Sequence, residues 1–330
     1  MHPLPLAVAP ATARPRASLA RRPRPLERLA EGLVRVTAYG AVAAVGAVLF
    51  FVLREAVPLF ADAALALEVP AGSLFSPTAA ADGAWQFVWQ PVAEPPKLNL
   101  LPLLLGSLKV TLVALLVATP VAVMAALWVS EFAPARARQP VKIVVELLAG
   151  VPSVVVGVFA LSVLASWVQK AAHTPHRLNA LVAGLALSLA VAPLVFTVAE
   201  DALRAVPDSY RAAGRALGAD RRHVALGIVL PAASPGIFAG IALGAARALG
   251  ETMIVLLASG NAAIFDTDLG LSTRTVTATI AQELGEVTVG SAHWHVLFVL
   301  GAMLVVVSLG VNVASDAAMR HMRRKLGTGS

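Results

Sequence analysis

Six apolar stretches, each about as long as a bilayer is thick, punctuate the chain. They lie near residues 34–53, 103–130, 146–168, 180–199, 235–259 and 296–316. A membrane-spanning α-helix needs roughly 20 mostly apolar residues, so each stretch is predicted to be one such helix. Pro120 and Pro193 fall inside two of them, which membrane helices tolerate because neighbouring groups satisfy the freed backbone. The pattern predicts an all-α integral membrane protein with six transmembrane helices.

The composition supports this class and excludes several others. Of the 330 residues, 58% are hydrophobic and 14% are charged, and the mean hydropathy is +0.78, whereas a soluble domain carries about 25% charged residues. The net charge of +7 is therefore expected to come from basic loops on one side of a membrane, without a nucleic-acid partner. The chain has no cysteine, so it contains neither disulfides nor thiolate metal sites.

Lysine and arginine residues predict the orientation of the six helices. They are concentrated in residues 14–35, 136–142, 204–222 and 320–325, and they are sparse in the connections 54–102 and 260–295. Because basic loops stay in the cytoplasm, both termini are predicted to be cytoplasmic. Trp85 and Trp89 of the first outer connection are expected at the membrane interface.

The first apolar stretch has two interpretations. Its basic, arginine-rich leader imitates the start of a signal peptide, but Arg54 and Glu55 follow it where a small-residue cleavage site would be expected. We therefore predict a retained helix.

The polar segment 200–231 is predicted to contain two short helices joined by a glycine turn. Asp208 and Ser209 follow Pro207 and are suited to cap a helix that ends near Leu217, with Gly218 in the left-handed conformation. A second helical run then places Val224, Ile228 and Leu230 partly on one face until Pro231 breaks it. The pattern alone leaves open an ordinary amphipathic connector lying in the lipid interface.

The fifth stretch contains both a small-residue face and a charged pair. Gly236, Gly240 and Gly244 recur every four residues, a spacing that lets helices approach closely. On a continuous helix, Arg247 and Glu251 fall within about 40° of Gly240, so they are predicted to face neighbouring helices or a cavity. Two roles remain open, a structural ion pair or a substrate path in which Arg247 contacts an anion.

Other functional classes leave weaker signals. A gradient-driven transporter would use intramembrane carboxylates, for which Glu146 and Glu251 are the candidates. A membrane metalloenzyme would use histidines such as His293 and His295, but their position beside Trp294 at the edge of a span is typical of an interfacial trio. No phosphate-binding loop of the form GxxxxGK[ST] occurs, so ATP hydrolysis by this chain is not expected.

The loop resembles the cytoplasmic signature of ABC importer permeases, which is Glu-Ala-Ala, then a glycine four residues later, then Ile-x-Leu-Pro ten residues beyond. Ala213, Gly218, Ile228, Leu230 and Pro231 match this register. The chain departs from it at Ala212, where the signature has glutamate, and at Gly214, where it has alanine. Arg211 and Arg215 are candidates to supply charge in place of that glutamate.

Further stretches resemble the phosphate-specific permeases of the PstC type. They are "LREAVPLF", "ELLAGVPSVVVGVF", "AEDALRAVPDSYRAAGRALGA", and "ARALGETMIVLLASGN" followed by "LSTRTVTATIAQELGE". The resemblance implies a heterodimer with a PstA-like permease, two PstB-like ATPase subunits that use the ATP, and a PstS-like phosphate-binding protein. It implies that this chain lies in the inner membrane of a bacterium and binds no cofactor itself. An importer of another oxyanion, such as sulfate or molybdate, is the alternative.

The resemblance also assigns segments and residues. It implies a MetI-like core over residues 102–320 with the coupling loop 200–231, preceded by a basic tail (1–30), an accessory helix (31–55) and a periplasmic connection (56–101), and followed by a tail (321–330). Arg247 and Glu251 would line the phosphate path. The residues that would contact the ATPase are Tyr210, Arg211, Ala212, Ala213, Gly214, Leu217, Gly218, Ile228, Leu230 and Pro231.

Overall fold

The computed structural model describes residues 25–79 and 85–325. Most of the predicted N-terminal tail and the last residues, 326–330, lie outside the described residues. Those described up to Phe50 form one compact unit, and those from Phe51 onward form a second. The six predicted spans are confirmed in the described chain as Leu29–Ala61, Leu101–Phe132, Ser153–Ala172, Ala180–Arg204, Arg221–Gly250 and Ala292–Met322.

Helices dominate the described residues. The α-helices are α1 (Pro25–Ala56), α2 (Pro58–Ala61), α3 (Ala63–Glu68), α4 (Leu101–Leu127), α5 (Ala135–Ala149), α6 (Ser153–Phe159), α7 (Ala165–Ala172), α8 (Ala180–Arg204), α9 (Asp208–Ala216), α10 (Arg221–His223), α11 (Leu230–Gly250), α12 (Met253–Ala258), α13 (Val276–Glu283) and α14 (Ala292–Lys325). Wider π-helical turns continue α4, α6 and α10 over Trp128–Phe132, Ala160–Leu164 and Val224–Val229.

The third span begins later than predicted. Residues 135–149 form the separate helix α5, and Pro152 stands at the N-cap of α6. A residue before proline is disfavoured in the helical conformation, so the chain turns at Gly150–Pro152 and the span starts at Ser153. Glu146 consequently lies on α5, outside the spanning segments.

The fifth span also differs from its prediction. It was expected over 235–259 with a break at Pro231, but the helix runs from Arg221 through Pro231 to Gly250. Pro231 sits in the first turn of α11 directly after the π-helical turn, where a missing N–H is tolerated. Beyond Gly250 the backbone of Glu251 is extended, with ψ 133°, and α12 follows as a separate helix.

Helix α8 lies at the centre of the bundle. It packs against α4 along most of its length and against α11 on another side. Small buried side chains let such helices approach closely in a membrane, where packing rather than hydrophobicity drives association. Small side chains of α4 and α8 in the buried core include Ala114, Ala118, Ala122, Ala183 and Ala186.

The connection between the first two spans is partly ordered by short elements. A 3-10 turn covers Ala71–Leu74, strand β1 (Thr78–Ala79) pairs antiparallel with β2 (Trp85–Gln86), and β3 (Trp89–Gln90) pairs with β4 (Lys97–Leu98). Trp85 is 72% exposed whereas Trp89 is 5% exposed. Trp89 is thus part of a buried cluster with the start of α14, and its predicted place at the membrane interface is wrong.

Candidate functional site

The predicted loop forms a helix, a glycine turn and a second helix. Helix α9 begins at Asp208 with Pro207 at the N-cap, which makes no side-chain capping bond, so the predicted cap by Asp208 or Ser209 is wrong. Gly218 has φ +82°, as predicted for the residue that ends the helix. Asp220 then caps α10 by accepting a hydrogen bond from the backbone amide of His223 at 2.7 Å.

Arg211 of α9 points into the protein. Its guanidinium donates to Glu131 Oε1 at 2.7 Å and to the backbone carbonyls of Val206 and Leu203 at 2.6 and 3.0 Å. The hydrogen bond to Glu131, supported by its charge, raises the pKa of Arg211 above its ordinary value despite burial. Arg211 therefore anchors the loop to the ends of the second and fourth spans. The expectation that its charge replaces the signature glutamate at a partner surface does not fit this placement.

Gly214 is the contact between α9 and the start of the fifth span. A β-carbon at this position would lie 2.5 Å from Cδ1 of Ile228 and 3.1 Å from Cγ2 of Val224. Glycine in place of the signature alanine thus lets α9 approach Ile228 and Val224 closely. Ile228 is partly buried in this contact, Leu230 is also partly buried, and Pro231 is exposed.

The rest of α9 forms an exposed face. Ala212 and Ala213 are exposed, Tyr210 is 43% exposed and Leu217 is 90% exposed. Tyr210 and Leu217 lie within about 20° of each other around the helix axis. Together they present a small apolar patch on one face of the loop.

The three glycines of the fifth span face α8. A β-carbon added at Gly236 would meet Cβ of Ala202 at 2.5 Å. One at Gly240 would meet Cβ of Val198 at 3.0 Å, and one at Gly244 would meet Cγ2 of Val195 at 2.8 Å. The stripe therefore sets the distance between α11 and α8.

Arg247 and Glu251 do not form the helical pair that their spacing suggested. Arg247 is exposed in the last turn of α11, whereas Glu251 has an extended backbone and is partly buried. Within the described residues no ion pair joins them. The hydroxyl of Thr277 on α13 donates to the Glu251 carbonyl at 2.8 Å, which satisfies a backbone group freed by the end of the helix.

Two charged groups inside the bundle were not predicted as sites. Lys109 is 6% exposed and donates to the carbonyls of Asp266 and Asp268 at 2.8 and 3.2 Å. Glu200 is fully buried and pairs with Arg204 and, at 2.6 Å, with Lys142. The Glu200–Arg204 spacing of four residues was the only signal in the sequence, and Lys142 lies too far along the chain to be recognised from it.

A second charged cluster lies in the connections between the first two spans and between the last two. Glu283 at the end of α13 accepts from Trp89 Nε1 at 3.1 Å, from Arg274 Nη1 at 2.6 Å, and contacts His293 Nε2 at 2.9 Å. Burial raises the pKa of Glu283, but the bonds to His293 and Trp89 and the charge of Arg274 outweigh it, so the pKa lies below its ordinary value. His295 instead contacts the Glu55 carbonyl at 2.6 Å, so the two histidines point to different partners.

Known proteins share this architecture and sequence. Residues 118–328 match the family described as binding-protein-dependent transport system inner membrane component. A probable ABC transporter permease of Bacillus subtilis, YqgH, is 33% identical over 67% of this chain and 71% of its own length. The phosphate transport system permease protein PstC 1 of Mycobacterium bovis is 34% identical over 68% of this chain and 73% of its own length.

Solved structures show the same fold. The MetNI methionine ABC transporter, in an inward-facing conformation, aligns with a TM-score of 0.51 and 17% identity over 68% of this chain and 94% of that chain. A bacterial ABC transporter involved in import of the acidic polysaccharide alginate aligns with a TM-score of 0.50 and 17% identity over 67% of this chain and 78% of that chain. At this level of sequence identity, the similarities show that the fold of the core is shared.

Proposed function

Because the chain belongs to the family of binding-protein-dependent transport system inner membrane components, it is a multi-pass permease subunit of an ABC importer, and we propose that its substrate is inorganic phosphate. Relatives named as phosphate permeases, at 30% to 34% identity over two thirds of the chain, support this choice over sulfate or molybdate. The family implies a second permease, a separate ATPase and a binding protein. We propose that these are PstA-like, PstB-like and PstS-like proteins.

The proposed orientation places both termini and the loop around α9 in the cytoplasm of a bacterial cell. The basic residues of α5, α9 and α10 support it, because positively charged loops remain on the cytoplasmic side. The ATPase would then contact α9 through the exposed patch of Tyr210 and Leu217, with Gly218 as the turn behind it. ATP would be bound and hydrolysed by that partner, and this chain would bind no cofactor.

The proposal of coupled transport rests on one continuous span. The helix from Arg221 to Gly250 begins beside the loop and ends at Arg247 and Glu251, roughly 40 Å away at 1.5 Å per residue. A displacement of α9 would be transmitted to α11 through the contact of Gly214 with Ile228, which lies in the π-helical turn that leads into α11. Alternating access would thus arise when ATP-driven movement of the loop tilts this helix against α8 along the glycine stripe.

The exposure of Arg247 supports a place in the substrate path. An arginine within a spanning helix costs several kcal/mol in contact with lipid, so the exposed guanidinium requires water, substrate or another protein. A channel between two permease subunits supplies all three. Its planar fork suits bidentate contact with an oxyanion, while Glu251, held by Thr277, would limit the net charge of the path.

Uptake of labelled phosphate tests the proposal. The chain would be expressed with its partner subunits in cells lacking their own phosphate permease, with labelled sulfate and molybdate as comparators. We expect phosphate-selective uptake that is lost in Arg247→Ala at matched membrane levels. Arg320→Ala is the matched control, because the Arg320 side chain is 65% exposed and, among the residues that the structure describes, its ion pair is with the exposed Asp316. Normal uptake in Arg247→Ala would remove Arg247 from the path, and absence of phosphate uptake in the wild type would reject the substrate.

A further inference from the structure

A cavity of about 920 Å³ lies beside α9, between the loop and the ends of the second, fourth and fifth spans. Five arginines from four different segments line it, which are Arg138, Arg204, Arg211, Arg215 and Arg221. Glu131 and Asp208 are the two acidic residues in its wall. Neither the apolar patch of Tyr210 and Leu217 nor Arg247 lines this cavity.

The two carboxylates do not neutralise the arginines. Glu131 is committed to Arg211, and both side chains are largely buried, at 10% and 16% exposure. The Asp208 side chain is 98% exposed and also contacts Arg211, at 3.3 Å. Both acidic groups are thus directed to the same arginine, and the remaining four depend on other partners.

Of those four, Arg204 pairs with the buried Glu200. The other three face the cavity without a carboxylate partner. Arg138 and Arg221 donate to backbone carbonyls of residues 130–133, which satisfy N–H groups without cancelling charge. Arg215 is exposed, and within the described residues no ion pair involves it. Guanidinium groups arranged in this way have unused donors suited to the oxygens of a phosphate group.

The departure of this loop from the permease signature bears directly on the cavity. Ala212, where the signature has glutamate, is one of the lining residues. Glutamate there would bring a negative charge to the arginines, and alanine leaves the space open and positive. Ala212 and Arg215 lie about 60° apart around α9, whereas Tyr210 and Leu217 lie about 140–160° from both. The apolar patch offered to the ATPase is therefore on the other side of the helix.

We propose that this cavity is a binding site for a phosphate-type oxyanion, either free inorganic phosphate or the headgroup of an acidic lipid. Its position at the ends of three spans matches the level at which basic pockets bind acidic headgroups. That it faces the cytoplasm rests on the orientation given under the proposed function. The site is separate from the path at Arg247, at the opposite end of the fifth span.

The signature glutamate provides the test. Equilibrium binding of labelled inorganic phosphate would be measured on the complete transporter in nanodiscs of phosphatidylcholine, for the wild type, Ala212→Glu and Ala212→Gln. We expect Ala212→Glu to weaken one class of phosphate sites by about tenfold or more, the effect of losing a charge-assisted hydrogen bond. Ala212→Gln, which has the same size without the charge, should change it by less than about threefold.

A second pair of variants and a second lipid separate the remaining cases. Arg215→Glu should weaken the same class of sites, while Arg215→Lys retains it, so a general folding defect cannot imitate the result. In discs that also contain phosphatidylglycerol, retained labelled lipid in the wild type and Ala212→Gln but not in Ala212→Glu would identify the lipid as the source. Equal binding of phosphate and lipid in all variants would overturn the proposal. This is also the result expected if an acidic segment of the ATPase fills the cavity.

The test of the cavity site and the test of the transported substrate can fail separately. Uptake of phosphate without binding sensitive to Ala212→Glu rejects the cavity site and leaves the proposed function intact. Binding sensitive to Ala212→Glu in a transporter that does not import phosphate rejects the proposed function and leaves the cavity site intact.

Discussion

Replacing Gly236 with alanine tests whether the approach of α11 to α8 depends on a missing side chain. The new β-carbon would lie 2.5 Å from Cβ of Ala202, whereas carbon atoms in ordinary contact are about 3.5–4.0 Å apart. Neither atom is at the end of a flexible side chain, so the two helices themselves must separate by about 1 Å.

The expected size follows from two opposing effects. Overpacking of this kind costs about 1–3 kcal/mol, while alanine is favoured over glycine in a helix by about 0.5–1 kcal/mol. Gly310→Ala in α14 is the matched control, because a β-carbon there meets nothing within 4 Å. Subtracting the two variants cancels the helix propensity, and Gly236→Ala should be less stable than Gly310→Ala by about 1–3 kcal/mol.

The free energy of unfolding would be measured by titrating the purified chain in mixed micelles with sodium dodecyl sulfate. We expect Gly236→Ala to unfold at a lower detergent fraction than the wild type or to match it closely, and Gly310→Ala to unfold at a higher one. Equal stabilisation by both substitutions would refute the view that the glycine stripe holds α11 against α8.

Three further predictions concern the helix break, the charged cluster around Glu283 and the loop. Thr277→Val leaves the Glu251 carbonyl without its donor, a loss of about 1–3 kcal/mol, so phosphate uptake should fall at matched membrane levels while Thr277→Ser retains it. The pKa of Glu283 is lower in the folded chain, so its contribution to stability is present above the ordinary value of about 4.3 and is lost as the pH falls through the folded-state value. Glu283→Gln should therefore lower the unfolding temperature at pH 7, and its difference from the wild type should shrink below about pH 4. Leu217→Asp, at a side chain 90% exposed, should leave folding unchanged and reduce co-purification of the ATPase.

Local patterns predicted much of the architecture because the bilayer imposes simple requirements. The six spans follow from apolar length, and the left-handed Gly218 follows from the end of a helical pattern. The spacing of Gly236, Gly240 and Gly244 likewise indicates a close helix contact, and the structure places α8 against it. Each of these features depends on residues that are neighbours in sequence.

The incorrect predictions involve partners far apart in the chain or changes in backbone direction. Arg211 was assigned to a partner surface, but its carboxylate partner is 80 residues away, and Trp89 is held by Glu283 at a separation of 194 residues. Apolar length also does not report where a helix stops, so Glu251 was placed on a helix that ends at Gly250. The end of α5 was likewise predicted to belong to the third span, because its apolar residues continue directly into the hydrophobic run of that span.

The two departures from the permease signature have different physical consequences. At position 214 an alanine would bring its β-carbon 2.5 Å from Cδ1 of Ile228, the far end of a flexible side chain, which can move aside by twisting about 30° off its rotamer at a cost of about 0.5–1.5 kcal/mol. Glycine there is thus a conservative change that tightens the contact between loop and span. At position 212 the change removes a carboxylate from a cavity with five arginines, and the two carboxylates in its wall, Glu131 and Asp208, both pair with Arg211. The first departure preserves the contact between loop and span, and the second leaves a positive cavity beside it, in keeping with the oxyanion site that we propose there.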